Sequence, residues 1–132
     1  MFVCKPTSVD SPEVTIERLR EIKHWTPAKT EYMIRFVCKE YEFKKVDLLV
    51  DLAMRESSLG ADKKCGDGGI SCGLFQYREG TWIAFSKKYN PQYKDKNNYV
   101  DQTVMTILAL KDKQYCHWGP LREKYGCKLA GR

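Results

Sequence analysis

Residues 48–82 constrain the fold more than any other stretch, because a helical pattern there runs directly into a glycine-rich loop. Apolar residues recur at helical spacing, at Val46, Leu49, Val50 and Ala53. This spacing predicts an amphipathic helix over about 46–58 with its apolar side buried, ended by Gly60. The next segment, CGDGGISCG, is expected to form a tight hairpin that folds back toward the helix end. It is the only β structure we expect.

Glu56 falls in the last turn of the predicted helix, and Asp67 lies in the loop that follows. Burial and the negative end of the helix dipole both disfavour a charged Glu56, so a raised pKa and a proton donor are expected there. Two carboxyls in different surroundings suit glycosidic cleavage, which needs an acid for the leaving oxygen and a base or charge stabiliser for water. The alternatives are a solvated glutamate at a frayed helix end and an aspartate bonded to its own turn.

Two short motifs resemble a signature of the lysozyme-like superfamily, and within it goose-type lysozymes and soluble lytic transglycosylases. They are R-E-S at 55–57 and G-L-F-Q at 73–76, similar to the family's "E-S … G-L-M-Q". In goose-type enzymes a second acid stands six residues before the first glycine of the second motif, and Asp67 has that spacing before Gly73. A further goose-type aspartate falls here on Arg78, and the "A-Y-N-A-G" segment of lytic transglycosylases is absent.

The resemblance implies a mainly α (α+β) fold, a lysozyme-like helical domain with a small β-hairpin or glycine-rich loop after the catalytic helix. It implies a muramidase that hydrolyses the β-1,4 bond between N-acetylmuramic acid and N-acetylglucosamine in peptidoglycan. Glu56 would be the general acid, and Asp67 would act on the attacking water with inversion, which expects carboxyls roughly 6.5–9.5 Å apart. The residues expected to bind substrate are Ser57, Gln76, Tyr77, Glu79 and Trp82. Ser57 as a brace for the loop and Trp82 as a core residue are the alternatives.

Two other functions stay open at this point. A lytic transglycosylase would use the 6-hydroxyl of muramic acid in place of water and leave 1,6-anhydro ends. A non-catalytic cationic module that binds the cell wall or nucleic acid would account for the formal net charge of +6 and the missing second family aspartate.

Length and composition fit a single domain over residues 1–132, with an extended N-terminal arm at 1–10. An apolar share of 42% argues against disorder, and no apolar run reaches the length of a membrane span, so no membrane insertion is expected. The positive charge suits an anionic partner, for which the resemblance supplies peptidoglycan. Lysine pairs are scattered between elements, which argues against a nucleic-acid partner. A monomer is expected.

Six cysteines favour disulfides and an oxidising compartment, with six reduced thiols as the alternative. Proximity in sequence pairs Cys65 with Cys72 and Cys116 with Cys127, which leaves Cys4 for Cys38. The spacings contain no C-x-x-C pair, so no metal and no cofactor are expected. The start of the chain has no apolar signal region, so a secreted, periplasmic or phage-delivered protein is expected to reach the wall after signal removal or by lysis.

The remaining helices follow from cap signals and apolar stripes. Ser11-Pro12 predicts the start of a first helix, and Thr26-Pro27 predicts a second over about 27–41. A short helix is expected from Thr81 to the loop signal Asn90-Pro91, then a long one over about 99–114 that backs the central helix, and a last one over 120–125.

Overall fold

The computed structural model of the chain describes residues 13–127, and this part is mainly helical, as the sequence predicts. Its helices are α1 Ile16–Arg20, α2 Pro27–Glu40, α3 Val46–Ser57, α4 Glu79–Tyr89, α5 Tyr99–Lys111 and α6 Gly119–Tyr125. A single turn of 3-10 helix, Asp67–Gly69, lies in the loop between α3 and α4. None of the helices in this range is both long and apolar enough to cross a membrane.

The most buried element is α5, in which ten of 13 residues are buried. It packs against α1, α2 and α4, while α3 packs chiefly against α2. The expectation that this helix backs α3 is therefore wrong in its main contacts. One of these contacts is polar, because the Arg20 guanidinium of α1 donates two hydrogen bonds to buried Asp101, at 2.7 and 2.9 Å. This ion pair, whose aspartate is buried, links α1 to the most buried helix of the fold.

Helix ends follow their caps, with small shifts from the sequence prediction. Thr26 caps α2 by accepting a hydrogen bond from the Lys29 N–H at 3.2 Å, and Pro27 occupies the first turn. Thr15 caps α1 in the same way, so this helix begins at Ile16, later than the predicted signal. Ser11 and Pro12, like the predicted arm at 1–10, lie outside the described residues. At the other end of the fold, α5 stops at Lys111, three residues before the predicted end at 114.

The central helix α3 ends at Ser57, because the next residues have left-handed backbone angles. Ser58 has φ 54° and Leu59 has φ 55°, and Gly60 follows with φ 84°. Ser58 already closes the helix with a hydrogen bond to the Met54 carbonyl at 2.9 Å. The chain therefore leaves the helix two residues before the glycine expected to stop it.

The glycine loop is not a continuous hairpin in the described chain; it contains only two isolated β-bridges, Gly66 with Ser71 and Cys72 with Tyr77. The reason is local, because several residues between and beside the bridges have positive φ and curl the chain. They are Asp67, Gly68, Gly69, Gly73 and Gln76. A strand ladder needs extended residues in succession, so the pairing breaks after each bridge.

Two of the predicted disulfides are confirmed. Cys65 is bonded to Cys72 across the glycine loop, and Cys116 is bonded to Cys127 across α6. Cys38 is a buried thiol with no disulfide in residues 13–127, and burial raises its pKa to about 11. Its predicted partner Cys4 lies outside the described residues.

Candidate active site

Glu56 and Asp67 line the same cavity, a groove of about 620 Å³. We call it the central groove. Its other walls include Arg78, which directly precedes α4, and His117 and Arg122, which come from the C-terminal part of the chain. Glu56, Asp67 and His117 also line a smaller cavity of about 190 Å³, which we call the inner pocket. The fold thus brings the two predicted catalytic carboxyls to one concave surface.

Glu56 occupies the penultimate position of α3 and is half-buried. Burial raises its pKa above the usual range for a glutamate, and the negative charge of Asp67 raises it further. No hydrogen bond to the protein opposes this shift among the described residues. The C-terminus of the helix adds a negative dipole end at the same place. These effects act together to favour the protonated acid at the groove surface.

Asp67 is exposed in the groove wall, and its carboxylate is held by two donors. The Ser71 hydroxyl donates to Oδ2 at 2.7 Å, and the Arg78 guanidinium donates to the same oxygen at 3.3 Å. These hydrogen bonds, together with the charge of Arg78, lower the pKa of Asp67. Asp67 therefore stays ionised at a pH where Glu56 is still protonated.

The loop that presents Asp67 is fastened to the core by the side chains of two glutamines. The Gln76 amide accepts from the Gly66 N–H at 2.8 Å and donates to the Gly73 carbonyl at 2.9 Å. Gln102 of α5 accepts from the Phe75 N–H at 2.8 Å and donates to the Cys72 carbonyl at 3.1 Å. The loop is therefore held at a fixed distance from the buried helix, although it has little regular structure of its own.

The predicted substrate-binding residues divide into two groups. Gln76 lines the inner pocket beside the two carboxyls. Ser57, Tyr77 and Trp82 are buried instead, with polar atoms bonded inside the protein. The Ser57 hydroxyl donates to the Leu74 carbonyl at 2.8 Å, the Tyr77 hydroxyl pairs with Thr106 at 2.9 Å, and the Trp82 indole donates to the Lys94 carbonyl at 3.1 Å. These three brace the loop and core, which is the alternative stated above for Ser57 and Trp82, whereas the burial of Tyr77 was not expected.

Glu79 is exposed at the first position of α4 and does not line the central groove or the inner pocket. At the helix N-terminus, the negative charge of its carboxylate interacts favourably with the positive end of the helix dipole. The structure therefore separates it from the two carboxyls, whereas its neighbour Arg78 lies beside Asp67.

His117 is the main site residue that the sequence interpretation missed. Its ring stacks on the buried ring of Tyr77, with centroids 5.0 Å apart. Its Nε2–H donates to the Gln76 carbonyl at 2.9 Å, since a carbonyl can only accept. Burial lowers the pKa of His117, which favours the neutral ring with Nδ1 as an acceptor. The sequence offered one signal, the disulfide of the adjacent Cys116, and nothing in it linked that segment to Asp67.

A third cavity of about 480 Å³, which we call the apolar pocket, adjoins the central groove. It is lined by Gly80, Ala84 and Phe85 of α4 and shares Cys116, His117 and Arg122 with the central groove. His117 lines all three cavities, which we call together the cleft, and the carboxyl pair lines two of them, the central groove and the inner pocket. A separate cavity of about 540 Å³, between α1, α2 and α5, contains none of the predicted site residues.

Within residues 13–127, no three histidine, cysteine, aspartate or glutamate side chains come together in an arrangement that would hold a metal ion. The groups that the central groove does offer are a carboxyl with a raised pKa, a carboxyl with a lowered pKa and fixed donors, an imidazole with a lowered pKa and two guanidinium groups. Such a set suits proton transfer to a leaving oxygen together with activation of water.

Comparisons of the chain with protein-family models, with curated proteins and with solved structures found no match.

Proposed function

We propose that this protein is a glycoside hydrolase that cleaves the β-1,4 bond between N-acetylmuramic acid and N-acetylglucosamine in peptidoglycan. One observation carries the reaction type: Glu56 and Asp67 line a single groove, with their pKa values shifted in opposite directions. Pairs of titratable groups with divergent pKa values are typical of acid and base partners in catalysis. The choice of glycan rests on the resemblance of residues 55–57 and 73–76 to lysozyme-like enzymes.

In the proposed mechanism, Glu56 gives its proton to the glycosidic oxygen as the bond to the anomeric carbon breaks. Asp67 orients a water molecule on the opposite face of the sugar and takes its proton as the new C–O bond forms. Inversion at the anomeric carbon follows, and a carboxyl separation of about 6.5–9.5 Å is expected for such a pair. Ser71 and Arg78 would hold Asp67 in orientation and keep it ionised.

The location of this reaction is part of the proposal. Two disulfides fit an oxidising compartment, and the net charge of +6 would draw the protein to anionic wall polymers. We therefore propose that a monomer acts on peptidoglycan outside the cytoplasm.

Product mass spectrometry on purified sacculi tests the function. We expect muropeptides with reducing muramic acid ends, and loss of all release in Glu56→Gln with an unchanged circular dichroism spectrum. Glu21→Gln, an exposed acid at the end of α1, is the matched control and should retain full release. Products with 1,6-anhydro ends would replace the hydrolase with a transglycosylase. Undiminished release by folded Glu56→Gln would remove Glu56 from the chemistry.

A further inference from the structure

The central groove contains two arginines as well as two carboxyls. Arg78 precedes α4, and Arg122 lies in α6. Burial raises the pKa of Glu56, and within residues 13–127 neither arginine forms an ion pair with it. Asp67, whose pKa is lowered, is the carboxylate that Arg78 contacts in the groove. Arg122 therefore adds a positive charge to the groove that no carboxylate pairs with among residues 13–127.

Arg122 is held at the groove wall with hydrogen-bond donors to spare. Its Nη1 donates to the Cys116 carbonyl at 2.8 Å, which fixes one edge of the guanidinium. Its Nη2 lies 3.7 Å from the point where a Cβ on Gly119 would stand, and Gly119 is itself part of the groove lining. Within residues 13–127, no carboxylate forms an ion pair with Arg122. Its charge is thus available to a ligand in the groove.

Arg78 is only partly committed to Asp67. The contact between its Nη2 and Oδ2 of Asp67 is 3.3 Å long, and 52% of the arginine side chain is exposed. Asp67 already accepts a shorter hydrogen bond from Ser71, at 2.7 Å. A guanidinium has five N–H donors, so Arg78 can hold Asp67 and still present another edge to a ligand.

We infer that Arg122, supported by the unused edge of Arg78, forms an anion subsite that selects glycans with a carboxylate substituent on the sugar bound there. This inference rests on the proposed function and narrows its substrate class. Guanidinium and carboxylate groups match in geometry and form charge-assisted pairs. In peptidoglycan the lactyl ether of muramic acid, or the peptide attached to it, supplies such a carboxylate. Chitin has the same β-1,4 linkage and the same acetamido groups without that carboxylate.

The apolar pocket adds a second element to the same selection. It shares Arg122 with the central groove and is walled by Ala84 and Phe85. A lactyl or alanyl substituent carries a methyl group within a few bonds of its carboxylate. With the carboxylate on Arg122, the methyl group enters the apolar pocket and loses contact with water, which favours binding.

Calorimetric titration in the inactive Glu56→Gln background tests the subsite without requiring turnover. The probes are a peptidoglycan-derived oligosaccharide with free lactyl carboxylates and a chitin oligosaccharide of the same length. We expect the first to bind about tenfold more tightly, with a difference that shrinks at high salt. Arg122→Gln should bring the ratio of affinities close to one, and Arg122→Lys should restore part of it. Arg18→Gln, an exposed arginine of α1 with the same change in charge, should leave the ratio unaltered.

Equal affinity for the two probes, or no binding of the carboxylate-bearing one, would overturn the inference. So would an equal weakening of both by Arg122→Gln, because that result describes a purely structural arginine. Should Arg122→Gln fail to fold, Arg78→Gln is the second variant and should also lower the ratio. Selective binding without any hydrolysis by the wild type would reject the proposed function and keep the subsite. Hydrolysis of both glycans at equal rates would reject the subsite and keep the proposed glycoside hydrolase.

Discussion

Glu56 and Asp67 face one groove from different surroundings, and their pKa values move apart. Burial at the end of α3 raises the pKa of Glu56, while Ser71 and Arg78 lower the pKa of Asp67 from an exposed loop. Asp67 also acts on Glu56, because its negative charge contributes to the rise in the pKa of Glu56. The pair is therefore electrically coupled.

Activity is expected to follow a bell-shaped pH profile. The proposed reaction needs Glu56 protonated and Asp67 ionised, so kcat/KM is expected to rise as pH increases through the lowered pKa of Asp67. It falls again as pH increases through the raised pKa of Glu56, above the ordinary value of 4.5. Initial rates on a soluble glycan oligomer across the acid and neutral range will measure both limbs.

The Arg78→Gln variant tests whether Asp67 determines the acid limb of the pH profile. Loss of the guanidinium removes a hydrogen bond and a positive charge from Asp67, so the pKa of Asp67 and the acid limb should both move upward. Arg18→Gln is the control and should leave the profile in place. An acid limb that stays unmoved in Arg78→Gln would assign that limb to another group.

Glu56→Gln is expected to stabilise the fold at neutral pH. Because the folded-state pKa of Glu56 is raised, the stability from its bound proton is full below the ordinary value of 4.5 and is lost as pH rises through the raised pKa. A glutamine never ionises and so avoids that loss. We expect Tm to rise by about 2–4 °C near pH 8 and to change little near pH 4. A lower Tm near pH 8 would show that the ionised carboxylate is favoured by the fold.

The Cys65–Cys72 disulfide is expected to matter more for activity than for folding. Replacing both cysteines with serine should lower the free energy of unfolding by about 2–3 kcal/mol, because the bond closes a short loop. Hydrolysis should fall well beyond the unfolded fraction, since Asp67 lies inside that loop. Leu110→Ala, a buried position near the end of α5, costs a similar amount and serves as the matched control. Equal activity of the two variants would mean that the disulfide does not position Asp67.

Gly73 and Gly68 form a natural pair for testing the loop geometry. Both have positive φ, but a Cβ on Gly73 would stand 2.1 Å from Nε2 of Gln102, whereas a Cβ on Gly68 meets nothing within 4 Å. Gly73→Ala should therefore cost about 3 kcal/mol or more in urea unfolding, and Gly68→Ala about 1–2 kcal/mol from backbone strain alone. Similar costs for both would show that Gln102 moves aside freely.

The helices could be predicted from sequence because their signals are local. Apolar spacing and caps gave α2 and α3 to within a residue or two, and Asn90 ended α4 as expected. The glycine loop was predicted as a hairpin because its composition permits one. The backbone angles of the loop depend on its contacts with α5, which are distant in sequence. The two isolated bridges could therefore not be predicted from the sequence of the loop alone.

The site was predictable only where its residues lie close together in the chain. Glu56, Asp67 and Gln76 fall within one stretch, and the structure brings them to the same cleft. His117 and Arg122 come from a segment distant in the chain, and only its packing brings them to the groove that Glu56 and Asp67 line. Tyr77 and Trp82 show the converse, because aromatic residues near a motif suggest sugar binding while burial assigns them to the core.

The conformation of the glycine loop depends on Gln102, a residue far away in sequence. Its amide group contacts backbone atoms of Phe75, Cys72 and Lys96 at once. A chimera that receives only residues 65–77 from a related chain would gain the segment that contains the aspartate without the glutamine that holds this segment in place. Any graft of this segment into another helical scaffold must carry position 102 along with it.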